Sequence, residues 1–361
     1  MRKLSLSVAI LTGMCIQSLP AQAIEDYAPH VKSSIEGYIR PAFAVFAEKT
    51  AAMPRAVKAL CDTGTDQKRA AFASAYGDVV SAFGGISFLR FGPLIDDHRL
   101  DSLAFMPDPR GITQRQIRKA FAAKDQGLTE ASSLREKSVA LQGLTALQLI
   151  AFDKDGAVSL GKSGDNRDLV CGYAVAIAQN VADIAADLER EWNDDKGFSD
   201  ALLNPRDDSQ IRSSKEAIET IFNALVTGLI VVKDQELLPA LGAEIGKARG
   251  NRFPFSRSQN GSTYVSAELE GIRQALDAAG FEQVLDDDFK WIPQSVAFEF
   301  DNGLNVLDTM DQPIRQSLQD PDVYKKLSLL TIIVNSLRDT IALELAGALG
   351  LSGGFNALDG D

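Results

Sequence analysis

Apolar residues recur three or four positions apart along most of the chain, which is the spacing of one face of an α-helix. The clearest stripe comes early and consists of Val31, Ile35, Ile39, Phe43 and Phe46. No part of the sequence sustains the strict alternation of apolar and polar residues that is typical of strands. The pattern therefore predicts an all-α fold built from packed helical bundles.

The same spacing predicts helices throughout the chain. They fall within residues 30–61, 67–86, 134–152, 169–192, 213–241, 266–280 and 323–350. Capping residues mark two helix starts, with Ser213 and Ser214 before one helix and Asp320 before Pro321 in another. A turn is predicted near Asn302.

A polar segment at residues 194–212 separates two groups of predicted helices. It contains Gly197, Pro205 and several aspartates, a composition typical of a linker. The chain also exceeds the size at which a single core usually keeps growing. We therefore predict an N-terminal helical bundle over residues 24–195 and a C-terminal helical bundle over residues 210–361.

Residues 1–23 have the features of a secretory signal peptide. Two basic residues precede a largely apolar run, and an Ala-Gln-Ala cleavage motif ends at Ala23. We predict export, cleavage after Ala23 and a soluble periplasmic product. Cys15 lacks the preceding residues that lipid attachment requires, so a lipoprotein is not expected.

The sequence carries a formal net charge of −12. Such a charge repels phosphate backbones, which argues against nucleic acid as a partner. After the signal peptide, no apolar run reaches the length of a transmembrane helix. The negative charge suits cationic ligands, although it also serves solubility alone.

Glu268 and Glu270 are expected on an exposed helical surface, and Trp192 and Trp291 are expected to pack against neighbouring side chains.

Cysteine and histidine are scarce in this sequence. Cys61 and Cys171 remain after cleavage, and in an oxidising compartment such a pair favours a disulfide over a metal site. The two histidines, His30 and His98, are too far apart to form a His-Glu-x-x-His zinc helix. A Gly-x-Ser-x-Gly hydrolase elbow and a phosphate-binding glycine loop are also absent from the sequence. The common catalytic classes are therefore disfavoured.

A charge-dense segment with several prolines and glycines follows residue 90. Segments of this kind often carry function, although solvated charges and helix caps explain them equally well. Asp97, His98 and Asp101 are weak candidates for a metal site, because their spacing matches no EF-hand pattern.

Residues 138–153 are predicted to form one amphipathic helix, and a short motif lies at its centre. Gly143, Thr145 and Gln148 occupy the positions of a Gly-x-His-x-x-Glu motif, whose second and third residues share one helical face. A hydroxyl and an amide bind transition metals weakly. Thr145 and Gln148 therefore either hold neighbouring helices together by hydrogen bonds or contact a ligand.

The sequence resembles the imelysin-like family, exported helical bacterial proteins filed as metallopeptidases and often associated with iron acquisition. Five stretches carry the resemblance to a periplasmic subgroup: RFGPL at 90–94, FMPDPRGITQRQI at 105–117, LQGLTALQLIAFD at 141–153, RSQNGSTY at 257–264 and GFNALDGD at 354–361. Their order spans nearly all of the chain after the signal peptide.

The resemblance implies two packed helical bundles with a site near their junction that includes the Gly-x-His-x-x-Glu helix. Gly143 matches this motif, but Thr145 replaces the histidine and Gln148 replaces the glutamate. The departure puts a zinc peptidase mechanism in doubt, because such a mechanism needs about three protein ligands on the metal. We expect the cleft to contain these three residues together with Arg90, Arg257 and Ser258.

Three hypotheses follow. The first is a non-catalytic periplasmic protein that binds a ligand or partner in metal or iron acquisition, with envelope or metal-uptake components as its partners. The second is a peptidase by family analogy, using carboxylates such as Glu136 or Asp153, or residues from the second bundle, in place of the missing pair. The third is a structural adaptor of the envelope. Iron or another divalent metal is a candidate cofactor, whereas zinc is disfavoured.

Overall fold

The structure is a computed structural model that describes residues 26–164 and 166–352. The predicted signal peptide, Cys15 and the GFNALDGD ending lie outside the described residues. Within the described ranges the fold is all-α, as predicted, and no β-sheet is present. An isolated antiparallel bridge joins Phe152 to Val158.

The first half of the chain forms eight α-helices within its described part. They are α1 (Ala28–Ser34), α2 (Arg40–Thr63), α3 (Asp66–Ser87), α4 (Arg99–Leu103), α5 (Ile112–Ala122), α6 (Ala131–Arg135), α7 (Gly143–Ala151) and α8 (Arg167–Trp192). A π-helical turn, Ile35–Ile39, joins α1 to α2 without a break. Short 3-10 turns cover Gly92–Leu94, Asp96–His98, Gln126–Leu128 and Val139–Leu141.

The second half continues with α9 (Phe198–Leu203), α10 (Ser214–Val231), α11 (Leu238–Leu241), α12 (Gly261–Ala279), α13 (Trp291–Asp308), α14 (Ile314–Ser317), α15 (Pro321–Asp339) and α16 (Ala346–Leu349). Two π-helical segments, Val232–Leu237 and Thr340–Leu345, follow α10 and α15. The 3-10 turns here are Ile245–Lys247, Gly250–Arg252, Ser256–Ser258, Phe281–Val284 and Asp287–Phe289.

The two halves pack on each other through α3 and α12. Helices α2, α3 and α8 form the centre of the first half, α13 and α15 pack together in the second, and α1 lies against α10 and α12. Gly84 makes the α3–α12 contact close, because a Cβ there would lie 2.7 Å from the Tyr264 carbonyl oxygen. One buried apolar cluster consequently extends from Tyr27 to Leu351. The division into two bundles at residues 194–212 stays a prediction.

A disulfide joins the end of α2 to the beginning of α8. Cys61 and Cys171 are bonded through their sulfur atoms, with their Cα atoms 5.9 Å apart. Helix α8 is long and apolar enough to span a membrane by length and composition, and 56% of its most apolar window is buried within the protein. Helices α2, α6 and α7 pack against it, as is usual for a core helix.

Most predicted helices are present, and two local predictions are wrong. Both predicted caps are confirmed, because Ser213 accepts from the Glu216 backbone N–H and Asp320 accepts from the N–H groups that follow it. Asn302, however, lies inside α13 rather than in a turn. The helix predicted over residues 138–153 is broken into a 3-10 turn and the shorter α7.

Candidate functional site

A partly open cavity of about 610 Å³ lies where residues from both halves of the chain meet. The first half contributes α7 and the loop 104–111, and the second contributes the π-helical segment Val232–Leu237, the loop 249–257 and the first turns of α12. This volume is within the range of small-molecule sites in proteins. The lining includes Arg90, Thr145, Gln148 and Arg257 from the predicted cleft.

The first residue of α7, Gly143, is a structural glycine. Its φ is +74°, and a Cβ at this position would lie 2.2 Å from the Leu103 carbonyl oxygen. Glycine therefore permits both the left-handed backbone and the close approach of α7 to the end of α4. The preceding Gln142 is buried and accepts a hydrogen bond from Asn180. Gly143 thus positions α7 and does not line the cavity.

Thr145 holds the cavity loop in place. Its side chain is only 6% exposed, and its Oγ1 accepts a hydrogen bond of 3.1 Å from the Phe105 backbone N–H. Phe105 belongs to the loop 104–111, which forms one wall of the cavity. The hydroxyl of Thr145, which stands at the histidine position of the motif, is therefore engaged in a structural hydrogen bond.

Gln148, one turn further along α7, has a different environment. It lines the cavity, and its Oε1 atom is buried without a hydrogen-bond partner among the described residues. A buried amide oxygen without a donor costs free energy that a ligand with a donor group can recover. The residue at the glutamate position is therefore available to a ligand.

Two buried glutamates lie together on the side of the cavity that holds Arg90. Glu236 lines the cavity from the π-helical segment and is 6% exposed, and Glu268 on α12 is fully buried behind it. Burial raises the pKa of Glu236 to about 7, while Tyr264 and Arg90 oppose the shift. Burial also raises the pKa of Glu268 well above its usual range, and the neighbouring charge of Glu236 adds to this effect. These carboxyls therefore tend to hold a proton near neutral pH.

Arginine dominates the charged lining of the cavity. Six arginines contribute to it: Arg90, Arg110, Arg249, Arg252, Arg257 and Arg315. The ion pairs found within the described ranges involve none of these six. The Arg257 Nε donates to the Phe152 carbonyl at 2.7 Å, and the Arg315 side chain donates to the Lys154 carbonyl and the Ser256 hydroxyl.

Several residues singled out in the sequence lie away from the cavity. Ser258 is buried and donates to the Phe255 carbonyl at 3.0 Å, so it stabilises a turn. Asp97 and His98 are exposed in a 3-10 turn, with Asp101 in α4. No group of three or more His, Cys, Asp or Glu side chains able to hold a metal occurs among residues 26–164 and 166–352.

The carboxylates named for a peptidase mechanism also lie outside the cavity. Glu136 is exposed outside the cavity lining. The Asp153 carboxylate accepts from the backbone N–H groups of Asp155 and Ala157 and caps that turn. Neither side chain lines the cavity, so neither compensates for Thr145 and Gln148.

The burial of these carboxyls was not predicted from the sequence. The prediction that Glu268 lies on an exposed surface is wrong, because Glu268 is one helical turn from Tyr264 and from Ile272, both of which are buried. A glutamate on the apolar face of a helix was the signal available in the sequence. Trp291 is likewise 50% exposed rather than packed, whereas Trp192 is fully buried.

Fold and site together define an all-helical protein with a ligand-sized cavity between the two halves of its chain. The imelysin (peptidase M75) family model matches residues 39–342, more than half of the sequence, and the chain belongs to this family. A search of the curated proteins returns no significant match.

Two solved structures share the fold. An imelysin-like protein from Psychrobacter arcticum 273-4 superposes with a TM-score of 0.74 at 16% identity, covering 91% of this chain and 97% of that one. A protein from Parabacteroides distasonis ATCC 8503, provisionally named iron-regulated protein A precursor, gives a TM-score of 0.68 at 13% identity, covering 89% and 96%. At these identities the likeness concerns the fold alone.

Proposed function

We propose that this protein is an exported, non-catalytic binding protein that serves iron acquisition, with the cavity as its ligand site. Membership of the imelysin family supports an iron-related role, as does the likeness to a protein provisionally named for iron regulation. The term precursor in that name and the signal-like first residues of this chain support export to the periplasm. Iron is then the cargo of the protein and not a resident cofactor.

One observation carries the proposal. Gln148 stands at the glutamate position of the family motif, lines a cavity of about 610 Å³ and has a buried amide oxygen without a donor. Most buried side-chain oxygens in proteins accept a hydrogen bond, whereas this one has no donor among the described residues. The unpaired amide oxygen is consistent with a ligand contact.

The character of the motif supports binding rather than catalysis. Thr145 is engaged with the Phe105 backbone, and Gln148 is neutral over the whole physiological pH range. A hydrolytic metal needs about three protein ligands and an open position for water. The cavity lining offers two carboxylates, Asp108 and Glu236, and no histidine or cysteine.

A calorimetric binding survey tests the proposal. The full chain is titrated with ferrous ion, ferric chelates and haem, in parallel with the variants Gln148→Phe and Gln67→Phe. Gln148→Phe places a ring into the cavity, whereas Gln67 is an exposed position at the start of α3 and serves as the matched control.

We expect at least one iron-bearing ligand to bind the natural chain and the control, and to bind Gln148→Phe about tenfold or more weakly. Equal binding to all three chains would place the ligand outside the cavity. Failure of every iron-bearing ligand to bind would contradict the proposed function.

A further inference from the structure

We infer that the ligand of the cavity is an oxygen-rich anion carrying several carboxylate or phosphate groups, and that iron enters as an anionic chelate rather than as a bare ion. This inference rests on the proposed function and specifies its ligand class. The observation behind it is a contrast between the protein as a whole and its cavity. The chain has a net charge of −12, yet six arginines line this one space.

The acidic residues of the lining do not balance these arginines. The Asp108 carboxylate accepts hydrogen bonds from the backbone N–H groups of Ile112 and Thr113, so it caps α5. Glu236 lies beside Arg90, which interacts with it electrostatically. The remaining arginines of the lining form no ion pair among the described residues. The cavity therefore presents excess positive charge.

Arg257 and Arg315 form the core of this positive surface. Both side chains are half-buried, and each guanidinium has lost part of its hydration. Burial lowers the pKa of Arg257, and the neighbouring charge of Arg315 lowers it further, while the Asp153 carboxylate opposes the shift. The Asp155 carboxylate acts on the pKa of Arg315 in the same opposing direction. Two like charges held together in a partly dry space are unfavourable, and an anion between them relieves this repulsion.

The hydrogen bonds of these two arginines leave donors free for a ligand. Arg257 uses its Nε on the Phe152 carbonyl. Arg315 uses its Nε and one Nη on the Lys154 carbonyl and the Ser256 hydroxyl. The other Nη groups of both side chains have no hydrogen bond within the described ranges. Fixed guanidinium planes with free Nη groups match the geometry of carboxylate and phosphate oxygens.

Two exposed arginines at the opening of the cavity add to its positive charge. Arg110 and Arg252 are exposed, line the cavity and form no side-chain hydrogen bond in the described structure. Exposed guanidiniums around an opening raise the local concentration of anions and speed their association. A free metal cation would meet repulsion at this opening and would find no group of three donor side chains within the described ranges.

The test is calorimetric titration of the full chain with citrate, pyrophosphate, inorganic phosphate, ferric citrate and ferrous ion. The variants are Arg257→Gln, Arg315→Gln and the double variant. Arg55→Gln is the matched control, because it removes one positive charge from an exposed position on α2 that does not line the cavity. Circular dichroism checks that the glutamine variants are folded. If they are not, Arg257→Lys and Arg315→Lys replace them, because these variants keep the positive charge and remove the guanidinium group.

We expect citrate, pyrophosphate or ferric citrate to bind, with affinity that falls as salt is raised. The double glutamine variant should bind about tenfold or more weakly, because it removes charge-assisted hydrogen bonds, and Arg55→Gln should bind like the natural chain. If citrate binds and pyrophosphate does not, the ligand is a carboxylate. If pyrophosphate binds and citrate does not, the ligand is a phosphate.

The outcomes separate this inference from the proposed function. If the anions fail to bind while ferrous ion or haem binds and Gln148→Phe blocks it, the anionic ligand is wrong and the proposed function stands. If anions bind equally to the double glutamine variant, the cavity arginines are not the site and the inference is overturned. If citrate or pyrophosphate binds but no iron-bearing compound does, the proposed function fails and the anionic site stands. If none of the compounds binds, both fail.

Discussion

At the scale of single residues, the altered motif on α7 has separated into two roles. Thr145 stabilises the loop 104–111 by accepting from the Phe105 backbone, while Gln148 lines the cavity and has a buried amide oxygen without a donor among the described residues. The hydrogen-bonding interpretation therefore applies to Thr145, and a ligand contact at Gln148 stays a prediction. One residue supports the fold of the site, and the other lines the cavity.

Gly143→Ala should destabilise the protein markedly. The added Cβ would lie 2.2 Å from the Leu103 carbonyl oxygen at a residue with φ of +74°. We expect the free energy of unfolding to fall by about 2–4 kcal/mol, measured by urea denaturation. Gly111→Ala is the control, since its φ is +61° but a Cβ there meets nothing within 4 Å. Equal losses in both variants would mean that the backbone angle alone, and not the contact with α4, requires glycine at position 143.

Glu236 should make stability depend on pH. The carboxyl keeps its proton up to a pKa of about 7 in the folded protein, against an ordinary value of 4.5. Between these values the folded state binds more protons than the unfolded chain, so the free energy of unfolding falls as the pH rises from 4.5 to 7. Glu236→Gln should flatten this fall and should be the more stable protein at pH 8, by on the order of 1–3 kcal/mol.

Urea denaturation at a series of pH values measures this effect. Glu268 contributes a slope of the same sign, since burial raises its pKa as well, so the Gln variant should keep part of the dependence. The exposed Glu244 provides the control substitution, Glu244→Gln. A Glu236→Gln profile that runs parallel to that of the natural protein would contradict the proposed protonation of this carboxyl.

Of the six residues that the sequence placed in a cleft, Gly143 and Ser258 do not line the cavity, and ligand binding by the other four stays a prediction. Arg90, Thr145, Gln148 and Arg257 all line the cavity. The prediction for Glu268 is wrong, because charge alone suggested an exposed surface although its helical neighbours are apolar. Periodicity places Glu268 on the apolar face with Tyr264 and Ile272, and in the structure this helix packs on α3.

At the scale of helices and turns, hydrophobic spacing predicted the long elements well and their interruptions poorly. The stripe from Val31 to Phe46 runs across α1, a π-helical turn and α2. The break before α7 depends on Gly143 meeting the carbonyls of α4, which are distant in sequence. Contacts of this kind leave no periodic trace, so the sequence predicted one uninterrupted helix over 138–153.

The π-helical segment Val232–Leu237 has a direct role at the site. It continues α10 with a wider turn and carries Glu236 to the cavity. Such widened turns inside helices occur often at functional sites. The sequence predicted one regular helix over residues 213–241, because the wider turn keeps nearly the same apolar pattern.

The disulfide between α2 and α8 should contribute substantially to stability. It closes a loop with a sequence separation of 110 residues, for which chain entropy predicts a contribution of about 4–5 kcal/mol as an upper value. The double variant Cys61→Ser/Cys171→Ser should therefore unfold at lower urea concentration, with a loss of about 2–5 kcal/mol. Adding reductant should destabilise the natural protein to a similar extent and leave the double variant unchanged. A natural protein insensitive to reductant under unfolding conditions would contradict this bond.

At the scale of the whole molecule, the protein combines an acidic exterior with a basic cavity. The net charge of −12 led the sequence analysis towards cationic ligands. Net charge describes the average surface, whereas the site depends on which side chains the fold brings together. Arg249, Arg252 and Arg257 share one loop, and Arg315 joins them because α14 packs on that loop.

The proposed ligand site can be located directly by anomalous diffraction at the iron absorption edge. Crystals of the full chain would be soaked in ferric citrate and compared with crystals of Arg257→Gln/Arg315→Gln treated in the same way. We predict an iron peak inside the cavity, between α7 and the loop 249–257, in the natural protein alone. An iron peak near Asp97, His98 and Asp101, or a cavity without iron at saturating ferric citrate, would contradict the account.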